Sequence, residues 1–141
     1  MVYLDTSAIV ALIVNEPGSA AVARWYAGSR AELMAAAWCV PEFASALGIK
    51  QRTAQLDAEQ ARQAWQRFER LVANDLKLLP VTPEDFHRAA VITLVAASAL
   101  RACDALHLAC AEAAQARQLA TLDVVMARYA QRLKIRPVAF N

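Results

Sequence analysis

Residues 2–7 read VYLDTS, and the apolar segment AIVALIV follows at residues 8–14. Residues 2–4 are apolar, with β-branched and aromatic side chains, so they predict a short buried strand. Thr6 and Ser7 are good N-cap residues for the helix-length segment behind them. Asp5 therefore lies where a strand ends and a helix begins, which is the edge of a parallel α/β sheet at which ligands bind. It either caps the first helix or belongs to a site that other carboxylates must complete.

Similar transitions recur along the chain, and they predict a doubly wound α/β fold. The predicted strands are residues 2–4, 33–37, 78–79, 119–122 and 135–140. The predicted helices are residues 8–14, 19–27, 41–47, 56–76, 83–97, 103–116 and 124–133. The helix at 83–97, which Thr82 caps, is expected to turn Phe86, Ala89, Ala90, Thr93 and Leu94 toward the core.

Length and composition indicate a single domain at residues 1–141. A chain of 141 residues leaves little room for two domains. The chain is 58% hydrophobic with only 3 Gly and 5 Pro, which excludes a disordered protein and favours a helix-rich core.

No targeting or membrane segment is visible in the sequence. The N-terminus lacks a basic region, and the uncharged apolar stretch at residues 89–100 is shorter than the roughly 20 residues that span a bilayer. Cys103 and Cys110 would lie about 10 Å apart along one helix, too far for a disulfide. With Cys39 they are expected to be small core residues, and three free thiols suit a reducing, cytoplasmic compartment.

Four carboxylates share one structural context. Asp5 and Asp123 each close a predicted strand, while Glu42 and Asp104 each lie in the first turn of a predicted helix. Strand C-termini and the following helix N-termini lie on one edge of a doubly wound sheet, so all four can converge there. Such carboxylates repel unless a cation neutralises them, and oxygen-only ligands favour Mg²⁺ or Mn²⁺. An ion of this kind can assist phosphodiester cleavage, whereas the alternative is four separate helix caps.

The distribution of charge agrees with a nucleic acid substrate. The net charge is +2, but without the four candidate acids the chain carries 15 bases against 9 acids. Twelve of the bases are Arg, the residue best suited to phosphate. Arg101 is close to the predicted acidic edge, where it would hold a phosphate or pair with one of the acids. Surface solubility would explain the same charges.

Four blocks of sequence resemble the conserved blocks of PIN-domain proteins, and in particular the VapC-type toxins of bacterial toxin–antitoxin pairs. They are VYLDTSA at residues 2–8, PE at 41–42, LRACDALHLA at 100–109 and TLD at 121–123. The resemblance extends from residue 1 to about residue 140. It implies a three-layer α/β/α sandwich with a central, mostly parallel sheet of four to five strands.

The resemblance also implies a function: a metal-dependent endoribonuclease that uses Mg²⁺ or Mn²⁺, dimerises and is held inactive by a small antitoxin. The family's metal-site acids map onto Asp5, Glu42, Asp104 and Asp123, and Ser7 matches a supporting hydroxyl. The chain departs from the family at two places. Lys134 stands where relatives often carry Gly, and the apolar residues 124–126 replace a further acid, so a second metal would be less well held.

Three residues are open to a structural role instead of a functional one. His107, one turn after Asp104, is expected to pack or hydrogen-bond internally rather than act as a base. Trp25 and Tyr26, on an apolar second helix, either finish the core or anchor a partner.

Two other functions compete with RNA cleavage. A phosphatase with an Asp nucleophile would usually carry a second Asp two residues after Asp5, where this chain has Ser7. A non-catalytic partner-binding module would not need four acids at strand and helix ends.

Overall fold

The computed structural model describes residues 1–141 as five strands and seven helices. The strands are β1 Val2–Leu4, β2 Leu33–Ala36, β3 Leu76–Leu79, β4 Gln118–Ala120 and β5 Arg136–Pro137. The helices are α1 Thr6–Ile13, α2 Ser19–Gly28, α3 Cys39–Arg52, α4 Ala58–Asn74, α5 Pro83–Leu94, α6 Ala102–Ala113 and α7 Val124–Arg132. A single 3₁₀ turn, Ala96–Ser98, follows α5. None of the helices is both long and apolar enough to cross a membrane.

The five strands form one parallel sheet in the order β3-β2-β1-β4-β5. The first strand is central, so that Val2 lies opposite Leu33 on one side and Gln118 on the other. Pro137, which cannot donate a ladder hydrogen bond, falls on the edge strand β5, as predicted. The predicted α/β/α sandwich with a parallel sheet is confirmed.

Two hydrophobic cores fill the spaces between the sheet and its helices. Val2 and Leu4 face the core formed with α1, α3 and α4, while Tyr3 faces the core formed with α5, α6 and α7. This alternation follows from the two-residue period of a strand, and it explains why β1 is apolar at every position. Each face of β1 is therefore buried.

Several predicted boundaries were wrong by a few residues. Asp5, rather than Thr6 or Ser7, is the N-cap of α1, and its side chain accepts a hydrogen bond from the Ala8 N–H. Asp123 does not close a strand, because β4 ends at Ala120 and Asp123 caps α7 instead. Both acids are thus caps as well as site candidates. The helix predicted at 41–47 runs over Cys39–Arg52. The helices predicted at 56–76, 83–97 and 103–116 end earlier, at Asn74, Leu94 and Ala113 respectively. The strands predicted at 33–37, 78–79 and 135–140 are observed at Leu33–Ala36, Leu76–Leu79 and Arg136–Pro137 respectively.

The inward face predicted for α5 was wrong at every residue except Ala89, which is buried. Phe86 is 52% exposed and Leu94 is 83% exposed, whereas Asp85 and Ile92 are buried. Asp85 closes a capping box with Thr82, and the buried positions of α5 lie one step around the helix from the predicted face. Cys103 is also exposed, contrary to the prediction of a core thiol. A large apolar surface therefore remains on α5 and α6.

The departure from the family pattern at Lys134 coincides with a left-handed backbone conformation. Lys134 has a φ of 60° in the turn between α7 and β5. This left-handed conformation is the one that glycine adopts without a steric penalty. The departure therefore affects the turn and leaves the candidate site untouched.

Candidate functional site

Asp5 is fixed at the carboxyl end of β1 by three hydrogen bonds. Its Oδ1 accepts from the Ser7 hydroxyl at 2.7 Å and from the Ala8 N–H at 3.0 Å. Its Oδ2 accepts from the Thr121 hydroxyl at 2.6 Å. The residue is 3% exposed, and this burial raises the pKa of the Asp5 carboxyl even though the hydrogen bonds oppose the shift. One lone pair of Oδ2 remains unused, so Asp5 can still serve one ligand.

Thr121, which lies 116 residues after Asp5 in the sequence, connects Asp5 to Asp123. The Thr121 hydroxyl oxygen accepts from the Asp123 N–H at 3.0 Å while its proton goes to Asp5. Asp123 in turn caps α7, since its Oδ1 accepts from the N–H groups of Val125 at 2.8 Å and Met126 at 3.0 Å. Its Oδ2 has no hydrogen-bond partner within the chain.

Glu42 lies in the first turn of α3 and is oriented by two donors. Its Oε1 accepts from the Thr6 hydroxyl at 2.6 Å and forms a short hydrogen bond with Nε2 of His107. Burial would raise the pKa of Glu42, but His107 and Thr6 outweigh it and the pKa is lowered. The Trp38 indole N–H lies beside Glu42 and is buried without a hydrogen-bond partner. Only Oε2 of Glu42 remains free.

Asp104 contrasts with the other three acids, because its carboxylate accepts no hydrogen bond from the chain. It lies in the first turn of α6 and is half-buried. Burial raises its pKa, and the nearby charge of Asp123 raises it further. Arg101 offsets this only in part, since its Nε is 3.8 Å from Asp104 Oδ2 and its side chain is 88% exposed. Asp104 therefore keeps both of its carboxylate oxygens available to a cation.

The four acids stand at one edge of the sheet, but the side chains are spread apart. As they stand, no three His, Cys, Asp or Glu side chains lie close enough to hold one metal ion. The donors nevertheless fit a hard divalent cation. Each acid keeps an oxygen or lone pair that the chain does not use, and Asp104 is short of positive charge. The assignment of all four as metal ligands stays a prediction.

Sequence reasoning missed three residues of this cluster. Thr6 orients Glu42, Thr121 orients Asp5 and Asp123, and Tyr3 bonds His107 from the core side. Ser7, which the resemblance identified as a supporting hydroxyl, bonds Asp5 and accepts from the Leu122 N–H at 3.0 Å. His107 hydrogen-bonds internally as predicted, but its partner is Glu42. The position of Thr121 two residues before Asp123 was the one available signal.

The chain is a parallel α/β/α sandwich with carboxylates at one edge of its sheet. Comparison of its sequence with known protein families identifies one matching family. The family profile of the PIN domain matches residues 2–132, and the chain therefore belongs to the PIN domain family. No curated protein matches the sequence significantly.

Solved structures resemble the chain over nearly its whole length. Mycobacterium tuberculosis VapC20, described as a sarcin-ricin loop cleaving toxin, has a TM-score of 0.74 at 14% identity, covering 92% of this chain and 95% of its own. FitAcB from Neisseria gonorrhoeae has a TM-score of 0.74 at 18% identity, with coverages of 99% and 97%. VapBC2 from Rickettsia felis, bound to a promoter DNA fragment, has a TM-score of 0.68 at 14% identity, with both chains fully covered. At these identities the likeness supports the fold.

Proposed function

We propose that this protein is a Mg²⁺- or Mn²⁺-dependent endoribonuclease and the toxin component of a toxin–antitoxin pair. The observation that carries the proposal is the arrangement of four acids. They come from four separate segments, three of them are oriented by hydrogen bonds, and each keeps an oxygen or, in Asp5, one lone pair that the chain does not use. The fold and the PIN family match support the same reading.

In this proposal Asp5, Glu42, Asp104 and Asp123 hold the ion, and the hydroxyls of Thr6, Ser7 and Thr121 orient three of them. When bound, the ion supplies the charge that activates water and stabilises the departing oxygen of a phosphodiester. Thr121 keeps Asp5 and Asp123 in register, because one hydroxyl serves both residues. Asp104 is left free to adjust, since nothing in the chain fixes its carboxylate.

RNA is favoured as the substrate by exposed basic residues beside Asp104 and on the helix that Asp123 caps. Arg101 is almost fully exposed beside Asp104. Arg128 and Arg132 line a cavity of about 190 Å³ together with Tyr129, on the helix that begins after Asp123. Neither of these two arginines forms an ion pair within the chain. Arginine beside an aromatic ring suits a phosphate and a stacked base, and the RNA-cleaving description of VapC20 points the same way.

The position of Asp5 argues against the phosphatase alternative. A nucleophilic carboxylate must reach the phosphorus atom with a free oxygen. Asp5 is 3% exposed, which hinders an approach to a phosphorus atom, whereas a small cation can reach the one unused lone pair of Oδ2.

Cleavage of RNA by the purified protein tests the proposed function. We expect cleavage of single-stranded or loop RNA with Mg²⁺ or Mn²⁺, loss of cleavage with a chelator, and little cleavage of DNA of the same sequence. A non-catalytic module would bind its partner but leave every RNA intact under all of these conditions, which would contradict the proposal.

An antitoxin is the proposed protein partner, and a groove between α1, α2 and α4 is the proposed docking surface. Its cavity has a volume of about 300 Å³ and is lined by apolar Leu12, Ile13 and Leu71 beside basic Arg67 and Arg70. A partner segment with apolar and acidic side chains fits this lining. Tyr26 belongs to the groove, and Trp25 lies next to it in sequence, half-buried and edge-to-face with Phe140 at 5.6 Å.

Truncation of Trp25 distinguishes a partner anchor from a core residue. If Trp25 is an anchor, Trp25→Ala should change the free energy of unfolding by no more than about 1 kcal/mol, yet weaken antitoxin binding by about 2 kcal/mol or more. If it is a core residue, the same change should cost roughly 3–5 kcal/mol of stability. Chemical denaturation and calorimetric titration measure the two quantities. Val91→Ala, which truncates an exposed apolar side chain on α5, is the control and should alter neither.

A second copy of the chain is the proposed partner of the α5–α6 surface. Exposed Phe86 and Leu94 line an apolar cavity of about 540 Å³ with Trp38 and Leu106. Apolar surfaces of this kind mark interaction sites. Light scattering on the purified protein measures the mass in solution, and a monomer at every concentration would contradict the homodimer.

A further inference from the structure

A buried chain of hydrogen bonds leads from the core of the protein to Glu42. The Ala36 N–H donates to the Tyr3 hydroxyl oxygen at 3.0 Å, and the Tyr3 hydroxyl lies 2.7 Å from His107 Nδ1. His107 Nε2 in turn bonds Glu42 Oε1. Tyr3 is completely buried and His107 is 2% exposed, so these contacts are shielded from water. The chain connects the second strand of the sheet to a candidate metal ligand through two side chains.

The direction of each bond follows from the donors available. The Glu42 carboxylate can only accept, so His107 Nε2 donates to it. With the proton of a neutral imidazole on Nε2, Nδ1 is an acceptor, and the Tyr3 hydroxyl donates to it. The Tyr3 oxygen in turn accepts from the Ala36 N–H. Tyr3 thus supports the tautomer of His107 that donates to Glu42.

As a consequence, the two carboxylate oxygens of Glu42 differ in the hydrogen bonds that they accept. Oε1 takes protons from His107 and from the Thr6 hydroxyl, which satisfies both of its lone pairs. Oε2 receives none from the chain. A carboxylate with one oxygen occupied in this way presents the other in a fixed direction, as second-shell partners do for metal ligands.

We infer that His107 is a positioning residue, which Tyr3 holds in one tautomer so that Glu42 presents Oε2 to the metal. The inference rests on the proposed function, and it gives His107 a role that a merely space-filling residue would not have. His107 touches neither metal nor substrate in this account. It acts through Glu42, although its Nε2 also lies 3.3 Å from the Thr6 hydroxyl that bonds the same carboxylate, and the Tyr3 hydroxyl acts through His107.

Two substitutions of similar polarity separate positioning from packing. In His107→Gln the longer amide places an N–H donor where Nε2 reaches Glu42. In His107→Asn the shorter amide keeps a polar group beside the Tyr3 hydroxyl but ends short of Glu42. We expect His107→Asn to weaken Mn²⁺ affinity by about 10–100-fold, as loss of a second-shell partner does, and His107→Gln to stay near wild type. Calorimetric titration of the metal-free protein with Mn²⁺ measures this without any RNA.

Tyr3→Phe is the companion variant, because it keeps the ring in the core and removes only the hydroxyl. We expect it to fold and to weaken Mn²⁺ binding by about 10-fold, at the low end of the same range. It decides the question if His107→Asn does not fold. Circular dichroism confirms which variants are folded.

The outcomes separate this inference from the proposed function. Equal Mn²⁺ affinities for folded His107→Asn and His107→Gln would overturn the positioning role, as would an unchanged affinity in Tyr3→Phe, even if wild type cleaves RNA. A wild-type protein that binds Mn²⁺ but cleaves no RNA would refute the nuclease while the order of affinities still tests His107. A wild-type protein that binds no Mn²⁺ would refute both.

Discussion

Asp5→Asn is expected to lower RNA cleavage at millimolar Mg²⁺ by about 100-fold or more while the protein stays folded. The change removes one ligand charge from the site, and losses of this order follow even from disturbing the groups around a metal ligand. The fold should survive because the amide oxygen can still accept from the Ser7 hydroxyl and the Ala8 N–H, while the new NH2 group donates to the Thr121 hydroxyl oxygen. Cleavage rates and circular dichroism measure the two effects.

The matched control for Asp5→Asn is Glu84→Gln. Glu84 is an exposed acid in the first turn of α5, the same helical context as two of the candidate ligands, but it forms no side-chain hydrogen bond. Its neutralisation should leave the cleavage rate unchanged. Full activity of folded Asp5→Asn at low Mg²⁺ would show that Asp5 is only the cap of α1.

Asp104→Asn is expected to raise the melting temperature of the metal-free protein and to abolish the further rise that Mg²⁺ gives to wild type. Burial and the charge of Asp123 raise the pKa of Asp104, so its charged form is disfavoured in the folded state. A ligand that binds only the folded protein stabilises it by mass action, and removal of a ligating charge removes that gain. RNA cleavage should fall with it, by about 100-fold or more.

The gain in stability of metal-free Asp104→Asn over wild type is expected to depend on pH. The folded protein holds the Asp104 proton more tightly than the unfolded chain, so wild type loses stability as the pH rises from the ordinary Asp value, about 3.9, through the raised folded pKa. Asn carries no charge and avoids this loss. The advantage of Asp104→Asn should therefore be greatest at neutral pH and vanish below about pH 4. An advantage that is constant with pH, or no Mg²⁺-dependent shift in wild type, would contradict the picture of crowded carboxylates.

The sequence was sufficient to predict the fold because its strongest signals are local. The apolar run of β1, the cap and proline at Thr82 and Pro83, and the acidic start of α4 at Asp57 each specify an element through its own residues. The parallel sheet then places the four acids at one edge, which is a property of topology rather than of any single contact.

The connections between the acids could not be predicted in the same way. Thr121 and Asp5 are 116 residues apart, and Tyr3 and His107 are 104 residues apart. At such separations no periodic pattern in the sequence predicts that their side chains are in contact. The prediction of which face of α5 is buried was wrong for a related reason. The helix is apolar on more than one side, and the tertiary position of Asp85, rather than the hydrophobic pattern, decides which side is buried.

The central claim is that the four acids form one site for a divalent cation that serves RNA cleavage. Titration of the metal-free wild type with Mn²⁺, beside Asp5→Asn, Glu42→Gln, Asp104→Asn, Asp123→Asn and the control Glu84→Gln, tests it most directly. The account predicts saturable binding in wild type and in Glu84→Gln, with affinity reduced at least about 10-fold in each of the other four. Absence of saturable binding in wild type at millimolar Mn²⁺, or equal affinities throughout the series, would contradict it.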